Sequence, residues 1–293
     1  MFEIIGSNFS DYLPGTNFDD DMYGFDGDDL IEGFAGNDFV NGGAGFDTMD
    51  YSRAGRAVTL LPGGRISKGN LGTDQVIGVE RVVGARGFAN LIDGASGSGQ
   101  ASFEIDLGAN SLVVNDVPFL GTISFTVENF VNVRGTPSDD TIAGNRAANF
   151  LDGWSGDDFL IGRGGNDTLV GNAGVDVLIG TDSSARGFRE VDRLTGGLNG
   201  DGFVLGDRSG SYYRAGGFAD YAIITDFSSN DIIQLGAREV YQARRDATGF
   251  DLFVLRNGVF DLIADVRTTS SIRLPSGNFR LASNQTFGNF LGA

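Results

Sequence analysis

Two stretches of the chain place one apolar residue at a fixed position every nine residues. The first runs through Leu13, Met22, Ile31, Val40 and Met49, the second through Ile142, Leu151, Leu160, Leu169 and Leu178. Two residues ahead of each stands an acid or its amide: Asp11, Asp20, Asp29, Asp38 and Asp47, then Asp140, Asn149, Asp158, Asp167 and Asp176. Glycine opens every unit, at Gly6, Gly15, Gly24, Gly33 and Gly42, and at Gly135, Gly144, Gly153, Gly162 and Gly171. Glycine admits the positive φ of a tight turn, and the last three residues of a unit, such as Thr168-Leu169-Val170, predict a very short strand. Side chains alternate along a strand, so the middle residue points to a core and its neighbours point away.

One core residue per nine is too little to order a turn against its chain entropy. Stacked units share a core, and a metal in each turn could supply the rest. Hard cations such as Ca²⁺ take six to eight oxygens, which turn carbonyls and carboxylates provide. The alternative is that the aspartates cap backbone amides with no metal. Asp19, Asp28, Asp139 and Asp157, each just ahead of the acidic column, read as solvated surface.

Between the arrays the strict period lapses. AVTLL, DQVIGVERVVG, ASFEIDL, SLVVND and TISFTVENFVNV still predict strands. Residues 79–87 and 127–135 share V-E-x-x-V-x-x-R-G, and FANLIDGASG looks like a unit that has lost its aspartate. The segment predicts wider, metal-free coils joining two rolls, with a small separate β-domain as the alternative. Beyond 180 an insertion (GTDSSARGFRE) precedes two more D-x-apolar pairs, Asp192 with Leu194 and Asp201 with Phe203. The division predicted is 1–52, a first roll; 53–134, a connector; 135–201, a second roll with an insertion; and 202–293, a β-rich cap.

Composition narrows the chemistry. Of 293 residues, 47 are glycine and 5 proline, with no triplet period, which excludes collagen. Net charge is −18, so nucleic acid and anionic membrane are poor partners and cations good ones. With no cysteine and no histidine, disulfides, thiolate zinc sites and imidazole chemistry are excluded. No apolar stretch reaches the ~18–20 residues of a membrane span. The start, MFEIIGSNFSDYLPG, is not a conventional secretory signal.

GGAGFDTMD (42–50) and GRGGNDTLV (162–170) resemble the nonapeptide of the RTX, or hemolysin-type, calcium-binding repeats. The resemblance implies an all-β fold, a right-handed parallel β-roll or β-solenoid with a β-rich C-terminal cap. It also implies calcium between turns two units apart, held by carbonyls of both turns and both aspartates. Carried over, Phe25, Gly27 and Asp29 face Gly42, Ala44 and Asp47, and Trp154, Gly156 and Asp158 face Gly171, Ala173 and Asp176. Thr136, Ser138 and Asp140 face Gly153, Ser155 and Asp158, while Thr16, Phe18 and Asp20 face Gly33, Ala35 and Asp38. Asp11, Asp167, Asp192 and Asp201 complete the candidate ligands.

Departures from the motif weaken some sites. Phe9, Phe18 and Ala147 stand where the fourth-position glycine belongs, and Asn149 replaces an aspartate, so the site pairing Asn149 with Asp167 is expected to be weak or empty. The Asp29/Asp47 and Asp158/Asp176 sites rank first. The segment after 202 resembles the cap of such rolls, in which Asp226 and Asp231 are expected to be structural. In that family an uncleaved C-terminal signal directs type I secretion, and the uncharged TFGNFLGA tail fits one.

The repeats begin at residue 6, which leaves no room ahead of them for an enzyme or pore-forming domain. No enzyme activity is expected. The expected role is a secreted, extracellular or cell-surface calcium-binding scaffold that folds in external Ca²⁺ and self-associates, head to tail or laterally. A second reading is an adhesin or a module binding cell-surface or matrix polysaccharide, with Tyr212, Tyr213 or Trp154 stacking on sugars. A third is a polysaccharide lyase using Arg81, Arg86, Arg134 or Lys68.

Overall fold

The computed structural model of the chain describes residues 2–97, 100–182, 189–213 and 219–268. It is an all-β protein in two compact units, Met1–Pro137 and Ser138–Ala293.

In the first unit each nonapeptide contributes one short strand, and alternate strands go to opposite sheets. Phe2–Ile5, Asp20–Asp26, Phe39–Ala44 and Thr73–Ile77 pair in parallel in one sheet. Tyr12–Pro14, Leu30–Glu32, Thr48–Asp50 and Arg81–Val83 do so in the other. Neighbours on a sheet are thus 18 residues apart in the array, two units to a coil. The registers keep the apolar column intact: Leu13 opposes Ile31, Ile31 opposes Met49, and Met22 opposes Val40. Met22, Ile31, Val40 and Met49 are fully buried, and the column continues past the array onto Val76 and Val82.

The connector departs from the wider coils expected of it. Two antiparallel meanders are inserted, Thr59–Leu61 with Arg65–Ser67 and Thr73–Ile77, and Ser102–Asp106 with Ser111–Val117 and Gly121–Glu128. Parallel pairing resumes around them, Asn90–Asp93 lying beside both Thr59–Leu61 and Phe130–Arg134. The two V-E-x-x-V copies do not stack copy on copy. Val82, not Val79, pairs with Val127, because Glu80 is spent at the turn, where its carboxylate accepts the Asp47 amide at 2.8 Å. The second copy continues into Phe130–Arg134, which lies in the other sheet.

The second unit repeats the plan. Phe150–Asp152, Thr168–Ala173, Val191–Leu198 and Tyr221–Ile224 form one parallel run. Thr141–Ala143, Phe159–Arg163, Val177–Thr181, Gly202–Val204 and Ile232–Gln234 form the other. Leu151, Leu169 and Leu194 stack at zero exposure, as do Ile142, Leu160, Leu178 and Phe203. The partner of Leu169 lies 25 residues on rather than 18, so the parallel register resumes past the insertion.

An antiparallel meander, Tyr241–Arg245, Gly249–Arg256 and Val259–Arg267, adds to the Tyr221–Ile224 edge through its last strand. Phe203, Phe227 and Phe250 stack at 6.3 and 6.1 Å between ring centres and close the core. A solenoid's terminal coil exposes both core and strand edge, and this meander pairs the Tyr221–Ile224 edge while Phe250 covers the core. The TFGNFLGA tail lies outside the described residues.

Candidate metal centre

The aspartate column lies inside the turns. Asp20, Asp29, Asp38, Asp47, Asp140, Asp158, Asp167, Asp176, Asp192 and Asp201 are all at most 2% exposed. Their two carboxylate oxygens do different work. One takes the backbone amide of the aspartate one coil back: Asp47 Oδ1 accepts from Asp29 at 2.9 Å, and Asp176 Oδ1 from Asp158 at 2.9 Å. The same link joins Asp11 to Asp29, Asp20 to Asp38, Asp140 to Asp158 and Asn149 to Asp167. It crosses the 25-residue gap from Asp167 to Asp192 and from Asp176 to Asp201.

The other oxygen separates the turns into two kinds. Where the second and fourth residues of the unit have positive φ, the turn is open. This holds for Phe25 and Gly27, Phe34 and Gly36, Gly43 and Gly45, Trp154 and Gly156, Arg163 and Gly165, Asn172 and Gly174, and Gly197 and Asn199. In six of these seven turns Oδ2 is buried without a hydrogen-bond partner, on Asp29, Asp47, Asp158, Asp167, Asp176 and Asp201. A buried carboxylate oxygen with no protein donor costs free energy that a cation, a proton or a bound water can remove. Carbonyls crowd the same spot: a Cβ on Gly24 would collide with Asp29 Oδ2 and the Gly42 carbonyl, and one on Gly171 with Asp176 Oδ2 and the Gly196 carbonyl. Carboxylate and carbonyl oxygens around a space that a methyl group would fill are a donor set for a hard cation, so the residues fit Ca²⁺.

Where the fourth residue is not glycine and keeps negative φ, as at Phe9, Phe18 and Ala147, the turn closes on itself. Thr16 gives both its amide (2.6 Å) and its hydroxyl (2.9 Å) to Asp20 Oδ2. Ser7 does the same for Asp11, at 2.6 and 2.8 Å. The Asn145 amide donates to Asn149 Oδ1 at 2.8 Å. Phe9, Phe18 and Ala147 have a Cβ and keep negative φ, which turns the neighbouring amide inward onto the acid. The aspartates therefore both cap amides and leave oxygens for metal, and which prevails is set by the fourth residue.

The predicted facing turns do meet. Gly27 donates to the Ala44 carbonyl at 2.9 Å, Gly156 to that of Ala173 at 3.0 Å, and Ser155 bridges to Ala173. Gly42 and Gly153 each present a face that Asp47 Oδ2 or Asp158 Oδ2 occupies, and Gly33 likewise lies against Asp38 Oδ2. Phe25 and Trp154 hold the left-handed backbone that glycine usually supplies, at φ 77° and 75°. Ala35 lies in the turn of Asp38, and Thr136 and Ser138 lead into that of Asp140.

Burial and neighbouring carboxylates raise the acids together. Burial, and then the charges of Asp140 and Asp176, push Asp158 up to about 9. Burial, and then the charges of Asp192 and Glu190, lift Asp167 to about 8. Asp201 rises to about 7 and Asp176 to about 6, again mainly by burial, while Asp29 and Asp47 move upward for the same reason. A cation in each cradle removes this penalty.

Several expectations are corrected. Asp28 and Asp157 are exposed, yet they are more than solvated surface: Asp28 Oδ1 accepts the Phe46 amide and Asp157 Oδ1 the Val175 amide, both at 2.8 Å. Asp19 and Asp139 do the same for Asn37 and Asp157. This outer ladder runs to the next coil, opposite in sense to the inner one. Lys68 cannot be a lyase base, because it has no exposed surface and its ammonium is held between Asp38 and Asp74. Tyr212 and Tyr213 cannot stack on sugars, since they are 9% and 1% exposed and the Tyr213 hydroxyl donates to Asp192 Oδ2 at 2.6 Å. Asp192 therefore has a donor where six of the seven open turns have none. Asp226 accepts the Gly196 and Gly197 amides, and Asp231 accepts those of Asp201 and Ser228, so both brace the last turn.

Two ladder members, Asp74 and Glu80, are additions to the sequence reading, and a third, Asn90, lies in the FANLIDGASG unit read as having lost its aspartate. Asp74 accepts the Asp38 amide at 3.1 Å, Glu80 that of Asp47, and Asn90 takes the aspartate's place with all its polar atoms used. Asn90 donates to the Ala85 and Asn129 carbonyls and accepts from the Val58 and Ala85 amides. Asp74-Gln75-Val76 carries the acid-x-apolar signal, and so does Glu80-Arg81-Val82.

The family model of the RTX calcium-binding nonapeptide repeat matches residues 14–49, 134–169 and 161–184. The chain thus carries RTX repeats, and their metal is Ca²⁺. No curated protein matches the chain. Among solved structures it is similar to the extracellular lipase LipA from Serratia marcescens, at 18% identity and a TM-score of 0.26, over 90% of this chain and 36% of that one. The chain therefore spans about a third of that protein's length.

Proposed function

We propose that the chain is a secreted calcium-responsive scaffold whose coils order on meeting external Ca²⁺ and which then self-associates as a structural element of a surface layer, sheath or filament. The observation that carries the calcium response is the set of six buried, partnerless Asp Oδ2 atoms, each against the opening glycine of its unit and four of them, on Asp29, Asp47, Asp167 and Asp176, also beside a carbonyl of a neighbouring coil. Without the ion, acids of adjacent coils repel; with it, they join them. Millimolar external calcium suits sites of ~10⁻⁴–10⁻³ M. Secretion is supported by the repeat type, whose members are typically exported.

Self-association is supported by the Phe2–Ile5 and Tyr12–Pro14 strands, each paired on one side only. Phe2, Ile5, Phe9, Tyr12 and Phe18 beside those edges are all more than half exposed. Unpaired strand edges with apolar side chains are templates for a further strand. Light scattering during a calcium titration tests this. Reversible growth into large species supports assembly, whereas a particle that compacts and stays monomeric excludes it.

A further inference from the structure

Asp38 is the exception among the open turns. Phe34 and Gly36 have the positive φ of an open turn, and a Cβ on Gly33 would lie 2.7 Å from Asp38 Oδ2, as in the metal cradles. Its Oδ2 is nonetheless not orphaned. The Lys68 ammonium reaches it at 2.8 Å and reaches Asp74 Oδ1 at 2.5 Å, and all three side chains have zero exposure. Asp74 Oδ2 in turn accepts the Tyr51 hydroxyl at 2.7 Å, so the cluster is closed from both sides.

Lys68 is the only lysine in the chain. It arrives from the Thr59–Ile77 meander, the insertion that breaks the nonapeptide count. Burying an ammonium is costly unless it is paired, and here two carboxylates, one from each of two adjacent coils, surround it. A cation bridging two such carboxylates is what the other open turns call for. We propose that the Lys68 ammonium is a tethered cation that holds the Asp38–Asp74 cradle in place of Ca²⁺, making this coil metal-independent and excluding the ion from it. The proposal rests on the reading of the other cradles as calcium sites. It makes the junction between array and meander the part of the first unit that stays ordered without calcium, a preformed edge on which the Asp29/Asp47 coil assembles when the ion arrives.

The test compares the full chain with Lys68→Met, which keeps much of the side chain's length and removes its charge. Bound calcium is counted by equilibrium dialysis, and amide hydrogen exchange is followed in chelator and in millimolar calcium. In wild-type protein in chelator, the Asp38 and Gln75 amides are expected to stay protected while those of Asp158 and Val177, their equivalents in a metal cradle, exchange. Lys68→Met is expected to lose that protection in chelator, regain it in calcium and bind one more ion per chain.

Unchanged protection with an unchanged ion count would overturn the proposal, as would wild-type amides at 38 and 75 that exchange as fast as those at 158 and 177. If Lys68→Met fails to fold even in calcium, the triple variant adding Asp38→Asn and Asp74→Asn decides. Folding of the triple variant in calcium supports a charge-pairing role, and its failure to fold there reduces Lys68 to a packing element and overturns the proposal. Wild-type protein that took up no calcium would sink the calcium reading separately, leaving Lys68 to be judged on protection in chelator alone.

Discussion

Asp176 gives one oxygen to its neighbour and keeps the other bare: Oδ1 accepts the Asp158 amide at 2.9 Å, while Oδ2, equally buried, has no donor. The first contact needs only an acceptor and the second needs a cation, so substitutions can separate them. Asp176→Asn preserves the Oδ1 acceptor and removes the charge. It is expected to weaken calcium binding by at least about tenfold, about 1.4 kcal/mol, because affinity at such sites follows ligand charge. Calorimetric titration of wild-type and variant protein reads this, and unchanged affinity would place the ion elsewhere.

Gly24→Ala puts a methyl group onto Asp29 Oδ2 and the Gly42 carbonyl, filling the cradle itself. Gly24 lacks positive φ, so the effect is steric rather than conformational. Calcium uptake is expected to fall by the ion at Asp29. Gly55→Ala is the contrast: its Cβ meets nothing within 4 Å, and its φ of 70° exposes it only to backbone strain of roughly 1–2 kcal/mol. Its ion count should not change.

The 144–149 turn is closed by Asn145 and lacks both the fourth glycine and the aspartate. Ala147→Gly with Asn149→Asp is expected to open it and add an ion against Asp167. Either substitution alone should add none, since one leaves the turn closed and the other leaves it without charge. Ion counts for the three variants check the requirement for both.

In chelator the second unit should be more stable in acid than in alkali. Asp176, Asp201, Asp167 and Asp158 have folded values of about 6, 7, 8 and 9, above the ordinary 3.8. A raised folded value means that the folded state holds more protons than the unfolded one. The contribution is fully present below 3.8, declines as pH climbs from there, and is gone once pH has risen through the folded values, from about 6 to about 9. Calcium reverses the trend, because the ion needs the carboxylates that protons occupy. Melting scans at pH 5 and pH 9.5, with chelator and with calcium, should cross over. Parallel curves would mean that these acids do not share their cradles with the metal.

The columns of glycine, aspartate and apolar residue were readable because identical chemistry recurs at a spacing equal to half a coil. Met22 over Val40 and Leu151 over Leu169 follow directly from that spacing. Asp74 was not readable as part of the ladder, because the meander intervenes and its partner Asp38 lies 36 residues away instead of 18. For the same reason Lys68 looked like an isolated base, and Tyr213 like a surface aromatic. What a side chain contributes across an irregular connection depends on where that connection returns, and no local spacing encodes the return. The split between open and closed turns was half legible: Phe9, Phe18 and Ala147 marked the exceptions, but the Ser7 and Thr16 hydroxyls that close two of those turns were not anticipated.

The two aspartate ladders run in opposite senses within one turn, the inner acids gripping the coil behind and the outer acids the coil ahead. Tension applied through the chain therefore meets a pair of latches facing opposite ways, and neither opens by sliding the coil in one direction. Under load such an array should hold until both latches of the outermost coil break together, then yield in discrete steps. Each step would release 18 residues, about 60 Å of extended chain. Calcium, by clamping the same aspartates, would raise the force at which each step occurs without altering its length.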